Sequence, residues 1–307
     1  MKKGNFKFLI ILLLINFIFA HIFEFQQAFI YDDNIFKFSQ KDFELFNKGK
    51  KDKDYKTADD LITSFSLKLN FYLKNLLLVF QTEYKGFLQN RKKSYPEYQI
   101  STKFSKLNLG YTFLPNYYLR NFYQKPCVYN EHSIFLRVNL EDFNIGIKNE
   151  IDLYNEDFKY YNSNSFSTAF GYKKDMKLFY QITDNLILTK NWLINKLKEN
   201  EPDISYFQIG NELKLRRRGE IFDLILTLEL KKRNYLTKID LTHKNRVDYL
   251  YLISFQIPIK FKRDLSIIFG YSFEKRICQI PYQEEFEDIK NYQKNIFSLK
   301  LMKGGKL

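Results

Sequence analysis

The sequence predicts an all-β fold, a single closed antiparallel transmembrane β-barrel of about 14 strands with short turns at one end and longer loops at the other. Three observations carry this expectation. Apolar and aromatic residues recur at every second position through most of the chain, the period of a strand whose two faces meet different surroundings. The longest runs suit a tilted strand crossing lipid, which takes roughly nine to eleven residues. Short turns and long links then alternate along the chain, as they do where one end of a barrel faces each side of a membrane.

The stretch from Val247 to Phe273 shows the pattern most fully. Val247, Tyr249, Tyr251, Ile253, Phe255, Ile257, Ile259 and Phe261 share one face. Asp248, Ser254, Gln256 and Lys260 share the other, with Leu250, Leu252 and Pro258 as exceptions. Lys262-Arg263-Asp264 makes a charged turn, after which Leu265, Ile267, Phe269, Tyr271 and Phe273 resume the apolar face.

Composition agrees. Aromatics make up 18% of the 307 residues, with 32 Phe and 23 Tyr against one Trp, and this bias favours strands. A mean hydropathy of −0.40 is too polar for a bundle of transmembrane helices. The formal charge of +14 is spread over turns and loops with no aromatic-basic reading motif, so no nucleic acid is expected as a partner. Cys127 and Cys278 fit no metal-ligand spacing and make no disulfide framework, so unpaired thiols are the default, with an inter-loop disulfide as the alternative.

The chain opens with Lys2, Lys3 and Lys7 before an apolar run from Phe8 to Phe19 that ends at Ala20. A basic start, a short apolar stretch and a small residue read as an export signal over residues 1–20, leaving 21–307 as the barrel. His21 to Tyr31 alternates weakly, and Asp32 to Asp60 is a long charged connection. Phe65 to Leu73 then turns at Lys74-Asn75 into Leu78 to Tyr84. Tyr98 to Phe104 turns at Ser105-Lys106 into Leu107 to Phe113, followed by a long link from Pro115 to Glu131. Ile134 to Leu140 turns at Glu141-Asp142 into Phe143 to Leu153, and Phe166 to Tyr172 turns at Lys173-Lys174-Asp175 into Met176 to Ile182. Thr183 to Lys198 reads equally as a strand end or a short helix. Phe207 to Leu215 turns at Arg216 to Gly219 into Phe222 to Leu230, and Phe297 to Leu301 closes the chain. Six short-turn hairpins with one strand before and one after make the even number a bacterial barrel has.

This pattern resembles bacterial outer-membrane β-barrel proteins as a broad class. The resemblance implies a cell outer-membrane location, contact with outer-membrane lipid and lipopolysaccharide, and handling by the barrel-assembly machinery. In one respect the chain departs from that class, because Lys303-Gly304-Gly305-Lys306-Leu307 stands where a terminal aromatic residue is usual.

With apolar faces toward lipid, the opposite faces line the interior. They carry Lys68, Glu83, Lys85, Lys103, Arg137, Lys148, Glu150, Asp152, Glu212, Lys214, Asp223, Glu229, Lys231 and Glu274. A dry core would not accept so many charges, whereas a hydrated lumen does. The leading functional expectation is therefore a passive, porin-like channel for small polar solutes, with the 32–60 loop as candidate obstruction. A surface-binding barrel using Arg91-Lys92-Lys93 and Lys231-Lys232-Arg233 as basic outer loops is the alternative, as is a transporter of hydrophobic molecules. Asp240 and His243 share a loop and His132 opens a strand, but no serine motif, phosphate loop or metal cluster accompanies them, so neither catalysis nor a cofactor is expected.

Overall fold

The computed structural model describes residues 22–50, 55–122, 125–177, 180–195, 201–238, 240, 242–262, 264–281 and 290–306. The expected export signal at 1–20 and His21 lie outside these residues. Fourteen antiparallel strands close into one barrel, each bonded to its neighbours in chain order and the last to the first. The strands are β1 Ile22–Asp32, β2 Asp60–Leu73, β3 Leu76–Phe87, β4 Tyr95–Phe104, β5 Leu107–Phe122, β6 Lys125–Leu140 and β7 Phe143–Tyr154. They continue as β8 Ser163–Lys177, β9 Tyr180–Leu193, β10 Tyr206–Arg217, β11 Leu224–Tyr235, β12 Val247–Lys262, β13 Leu265–Gln279 and β14 Tyr292–Lys306. The one α-helix among the described residues, α1 Gln40–Asn47, lies in the link after β1.

The expected faces are the observed ones. Phe65 stands beside Gln27 and Tyr84, Phe170 beside Ile145 and Leu186, and Phe269 beside Ile257 and Leu299, all pointing out of the barrel. Ile134 is 57% exposed and Phe143 59%, values that only a lipid surround makes favourable for such side chains. Tight turns at Lys74 and Ser105 place both residues at φ +51°, the left-handed region that a two-residue hairpin turn demands.

Several boundaries differ from expectation. The turn read at Lys173-Lys174-Asp175 is strand instead, with Lys173 opposite Thr183, Lys174 opposite Ile182 and Asp175 opposite Gln181. The ladder satisfies the backbone there, and Gln181 donates to the Asp175 carboxylate at 2.7 Å. Thr183 to Leu193 accordingly belongs to β9, Ile194 and Asn195 follow it as a bend, and Lys196 to Lys198 lie outside the described residues. The link read from Pro115 to Glu131 is a projecting hairpin in which β5 and β6 extend to Phe122 and from Lys125. A register shift between Leu114 and Tyr117 absorbs Pro115, which lacks the amide for a regular ladder, and a second shift follows between Tyr118 and Arg120. The Lys303 to Lys306 tail continues β14, pairing along β1 as far as Ile22 opposite Lys306.

An arginine in place of lipid-facing Ile147 should destabilise the barrel by about 2–4 kcal/mol in lipid vesicles, because it forces a cation into hydrocarbon. Denaturant unfolding measures this against Ser167→Arg on the inner face of β8, expected to cost much less. Equal losses would contradict the assignment of faces.

Candidate functional site: the lumen and its mouth

The inner wall is polar along its height and most of its charges are paired. Lys68 donates to Glu24 at 2.6 Å across β1 and β2. Glu83 accepts from Ser64 at 2.7 Å and lies 3.6 Å from Lys85. Lys148 bonds Glu150 and lies 4.0 Å from Glu131, while Asp152 accepts from Ser163 at 3.5 Å. Glu212 accepts from Asn185 at 2.9 Å, and Lys231 pairs with Glu229 at 2.5 Å. Asp223 sits just before β11 rather than within it, fully buried, where it accepts from Arg216 at 2.5 Å and Lys260 at 3.1 Å.

Lys103, Arg137 and Lys214 differ. They are exposed on the inner face toward the turn end of the barrel, with no ion-pair partner among the described residues. Every acidic residue expected to line the lumen therefore has a partner, and three of the expected cations have none. Phe135 is an apolar exception on this face: its ring lies over Gly110, where a Cβ would come within 2.3 Å of it. Leu250, Leu252 and Ile268 point inward as expected, with Leu252 flanked by Glu229 and Glu274.

At the loop end, the link after β1 folds across the mouth. Phe36, Phe38, Tyr55, Ala58 and Tyr118 form a buried cluster, with Phe43 and Phe46 of α1 and Val128 packed against it. Ser39 caps α1 and exchanges hydrogen bonds with Asp42, fixing the angle at which Phe43 and Phe46 enter the cluster. Tyr55 and Tyr118 bond through their hydroxyls, which fastens this link to the projecting β5–β6 hairpin. Asn34 ties Phe38 and the Gln293 carbonyl together, and Lys37 reaches Glu274 on the inner face of β13 at 3.0 Å. Lys294 also meets Glu274 at 3.5 Å, so this expected lumen residue anchors the mouth cover. At the base of the link, Asp60 accepts from the backbone amides of Leu88, Gln89 and Asn90 at 2.7–3.0 Å.

Around the mouth runs a belt of inward tyrosines. Tyr95, Tyr117, Tyr129, Tyr154 and Tyr161 follow one another with ring centroids 4.8, 5.2, 5.0 and 5.7 Å apart. Below it Glu131, Glu150 and Asp152 gather within 4.8 Å of one another. Facing them are Arg233 on β11, Arg246 just before β12, Arg276 on β13, Lys290 just before β14 and Lys294 on β14. β6 and β13 stand seven places apart in the ring of fourteen, so the acidic and basic patches lie on opposite walls.

Of the two basic segments read as outer loops, Arg91-Lys92-Lys93 does lie in the link between β3 and β4, with Arg91 and Lys92 exposed, whereas Lys231-Lys232-Arg233 does not lie in a loop. Lys93 is buried in a short 3-10 helix, donates to the Leu119 carbonyl at 2.9 Å and lies 4.9 Å from the Phe36 ring centre. Lys231-Lys232-Arg233 lies within β11, with Lys231 and Arg233 inward and Lys232 outward over Tyr249. Ladder bonding of the backbone overrides the loop signal that three successive cations give. His132 lies within β6 on the lipid face, stacked 4.8 Å from Phe113 and bonded to the Tyr111 hydroxyl at 2.7 Å. Asp240 and His243 do meet, at 2.5 Å, but the same carboxylate also takes the Thr242 amide and hydroxyl and the Asp203 amide. Cys127 and Cys278 are both free and buried, as the default reading had them.

Burial pushes the Asp240 carboxyl up, yet the hydrogen bonds from His243 and Thr242 outweigh it and hold the group well below the ordinary carboxylate range. A depressed folded value contributes stability that is present above the unfolded pKa, near 4, and declines as pH falls below it. Hydrogen exchange, corrected for intrinsic rates, should show the loop around Asp240 losing protection at pH 3 relative to pH 6. Asp240→Asn should remove that difference, and equal protection in the parent protein at both pH values would contradict the assignment.

No protein-family model matches the chain, and no curated protein matches its sequence. Among solved structures it is similar to a bacterial polysaccharide outer membrane secretin, at 9% identity and a TM-score of 0.58 over 94% of this chain and 99% of that one. The outer membrane channel DcaP of Acinetobacter baumannii aligns at 8% identity and a TM-score of 0.49, over 93% of this chain and 97% of that one. OmpT of Vibrio cholerae aligns at 9% and 0.47, over 92% and 97%. At such identities the likeness is one of fold, and the two matches below 0.5 add no weight. The fold is that of bacterial outer-membrane β-barrel proteins.

Proposed function

We propose that this barrel is a passive channel for small polar solutes in a bacterial outer membrane, exported by the signal read at residues 1–20. The observation that carries this reading is the inner wall. Exposed Lys103, Arg137 and Lys214, without an ion-pair partner among the described residues, face the interior, where a dry space would make unpaired cations strongly unfavourable and water makes them tolerable. Eight strands leave a barrel filled by side chains and sixteen to eighteen leave an aqueous channel; fourteen is wide enough for a narrow one. The short turns then lie on the periplasmic side and the mouth cover on the outside. Leu250, Leu252 and Ile268 make no continuous apolar track, since charged residues flank them, so a route for hydrophobic molecules has less support.

The Asp240–His243 pair is read as a loop fastening, with its carboxylate occupied by Thr242 and Asp203 as well, and no catalytic role is assigned to it. Lys190 and Lys232 point outward among Phe166, Phe207 and Tyr249, in the loop-end half of the wall. They are placed for the phosphates of outer-leaflet lipid, including lipopolysaccharide, which supports lipid contact beside the channel reading.

Purified, refolded protein in a planar bilayer should give discrete conductance steps. Lys37→Ala removes the contact to Glu274 and should raise the unit conductance by loosening the mouth cover. Silence from protein shown to be folded and inserted would overturn the channel reading.

A further inference from the structure

Among the described residues, the basic side of the mouth holds more positive charge than its acids neutralise. Arg233 lies on the inner face of β11, Arg246 just before β12, Arg276 on β13 and Lys290 just before β14. Each guanidinium lies against a tyrosine: Arg233 is 4.0 Å from the Tyr206 ring centre, Arg246 4.7 Å from Tyr235 and Arg276 4.8 Å from Tyr292. Stacking of this kind holds the planar group in place, and Arg233 donates its Nε and Nη2 to the neutral Gln208 amide oxygen at 3.2 and 3.0 Å, which leaves its charge uncompensated there. The carboxylate available there, Asp248, is taken by Arg246 through two bonds of 2.7 Å. Glu274, the next acid down the wall, is taken by Lys37 and Lys294. Among the described residues no carboxylate lies within ion-pair distance of Arg233, Arg276 or Lys290.

Arg276 is fixed against Lys290 by donating Nε–H to the Lys290 carbonyl at 2.8 Å. Around the Lys290 ammonium stand Arg246, Arg120 from β5, Arg276 and the Cys278 thiol; burial first, then these cations, push it down to about 8. Like charges gathered in a partly buried place are mutually unfavourable until an anion joins them.

We propose that Arg276 and Lys290, backed by Arg233 and Arg246, bind an oxyanion (the phosphate, sulfate or carboxylate group of a solute) at the mouth of the lumen. The position on the inner wall separates this site from lipid head groups. The proposal deepens the channel reading by naming a solute class, and it rests on that reading only for how the anion arrives. Equilibrium binding tests it separately from conduction.

Inorganic sulfate is the probe, because its charge is constant from pH 6 to 9, and calorimetry on the full chain in detergent is the readout. Saturable binding is expected at pH 7, weakened at least about tenfold in Lys290→Gln and in Arg276→Gln. The lipid-facing Lys190→Gln should leave it unchanged. Affinity should also fall as pH rises through about 8, where Lys290 loses its proton. Lys290 lies outside the strands, so its variant decides the matter should Arg276→Gln fail to fold. Absence of saturable binding in the parent protein would overturn the site. An equal loss in Lys190→Gln would overturn it too, by showing only a general charge effect. Sulfate binding by a protein that conducts nothing would keep the site and remove the channel.

Discussion

Everything in this structure depends on the pairing of the first strand with the last. Inside lipid no water bonds to a free amide or carbonyl, so a sheet edge would leave a row of unsatisfied groups at several kcal/mol each. β1 and β14 remove that edge with an unbroken register from Ile22 opposite Lys306 to Asp32 opposite Ile296. Closure in turn fixes which face of every strand is inside. A slip of one residue would turn each strand's apolar set into the lumen. The period of two along the chain is therefore the residue-level expression of that single constraint.

Closure also makes the interior a place where charge is tolerable and position matters. The wall is not uniform: ion pairs such as Lys68–Glu24 and Lys231–Glu229 quiet parts of it, while Lys103, Arg137 and Lys214 stay free nearer the turn end. At the loop end the acidic patch of β6 and β7 faces the basic patch of β11 to β14. Lys37 joins the mouth cover to the wall through Glu274, so one of the interior charges has a mechanical task.

How much of this was legible in the sequence follows from the range of the interactions. The hairpins could be read because alternation is local, and so the two strands of Val247 to Phe273 appear where expected. Misreadings arose where a local signal was overruled by the ladder. Lys173-Lys174-Asp175 and Lys231-Lys232-Arg233 look like loops, yet their backbones pair within β8 and β11. Pro115 looks like a breaker, yet the register shift after Leu114 accommodates it within β5. The 32–60 link was legible as the obstruction of the mouth, but its fastenings were not, because Lys37 meets Glu274 across 237 positions of chain and Tyr55 meets Tyr118 across 63. Arg276 lies on the inner face because the alternation continues two residues past Glu274, whereas Lys290 lies outside the strands, where alternation carries no signal.

The central claim is that one barrel wall separates lipid from water at every second residue. Spin labels placed one at a time from residue 247 to 261 in vesicles test it most directly, with oxygen reporting lipid exposure and a water-soluble nickel complex reporting the lumen. The account predicts that the two accessibilities alternate out of phase with a period of two, odd positions facing lipid and even positions facing water. Accessibilities that vary smoothly along β12, or that show water on both faces, would contradict it.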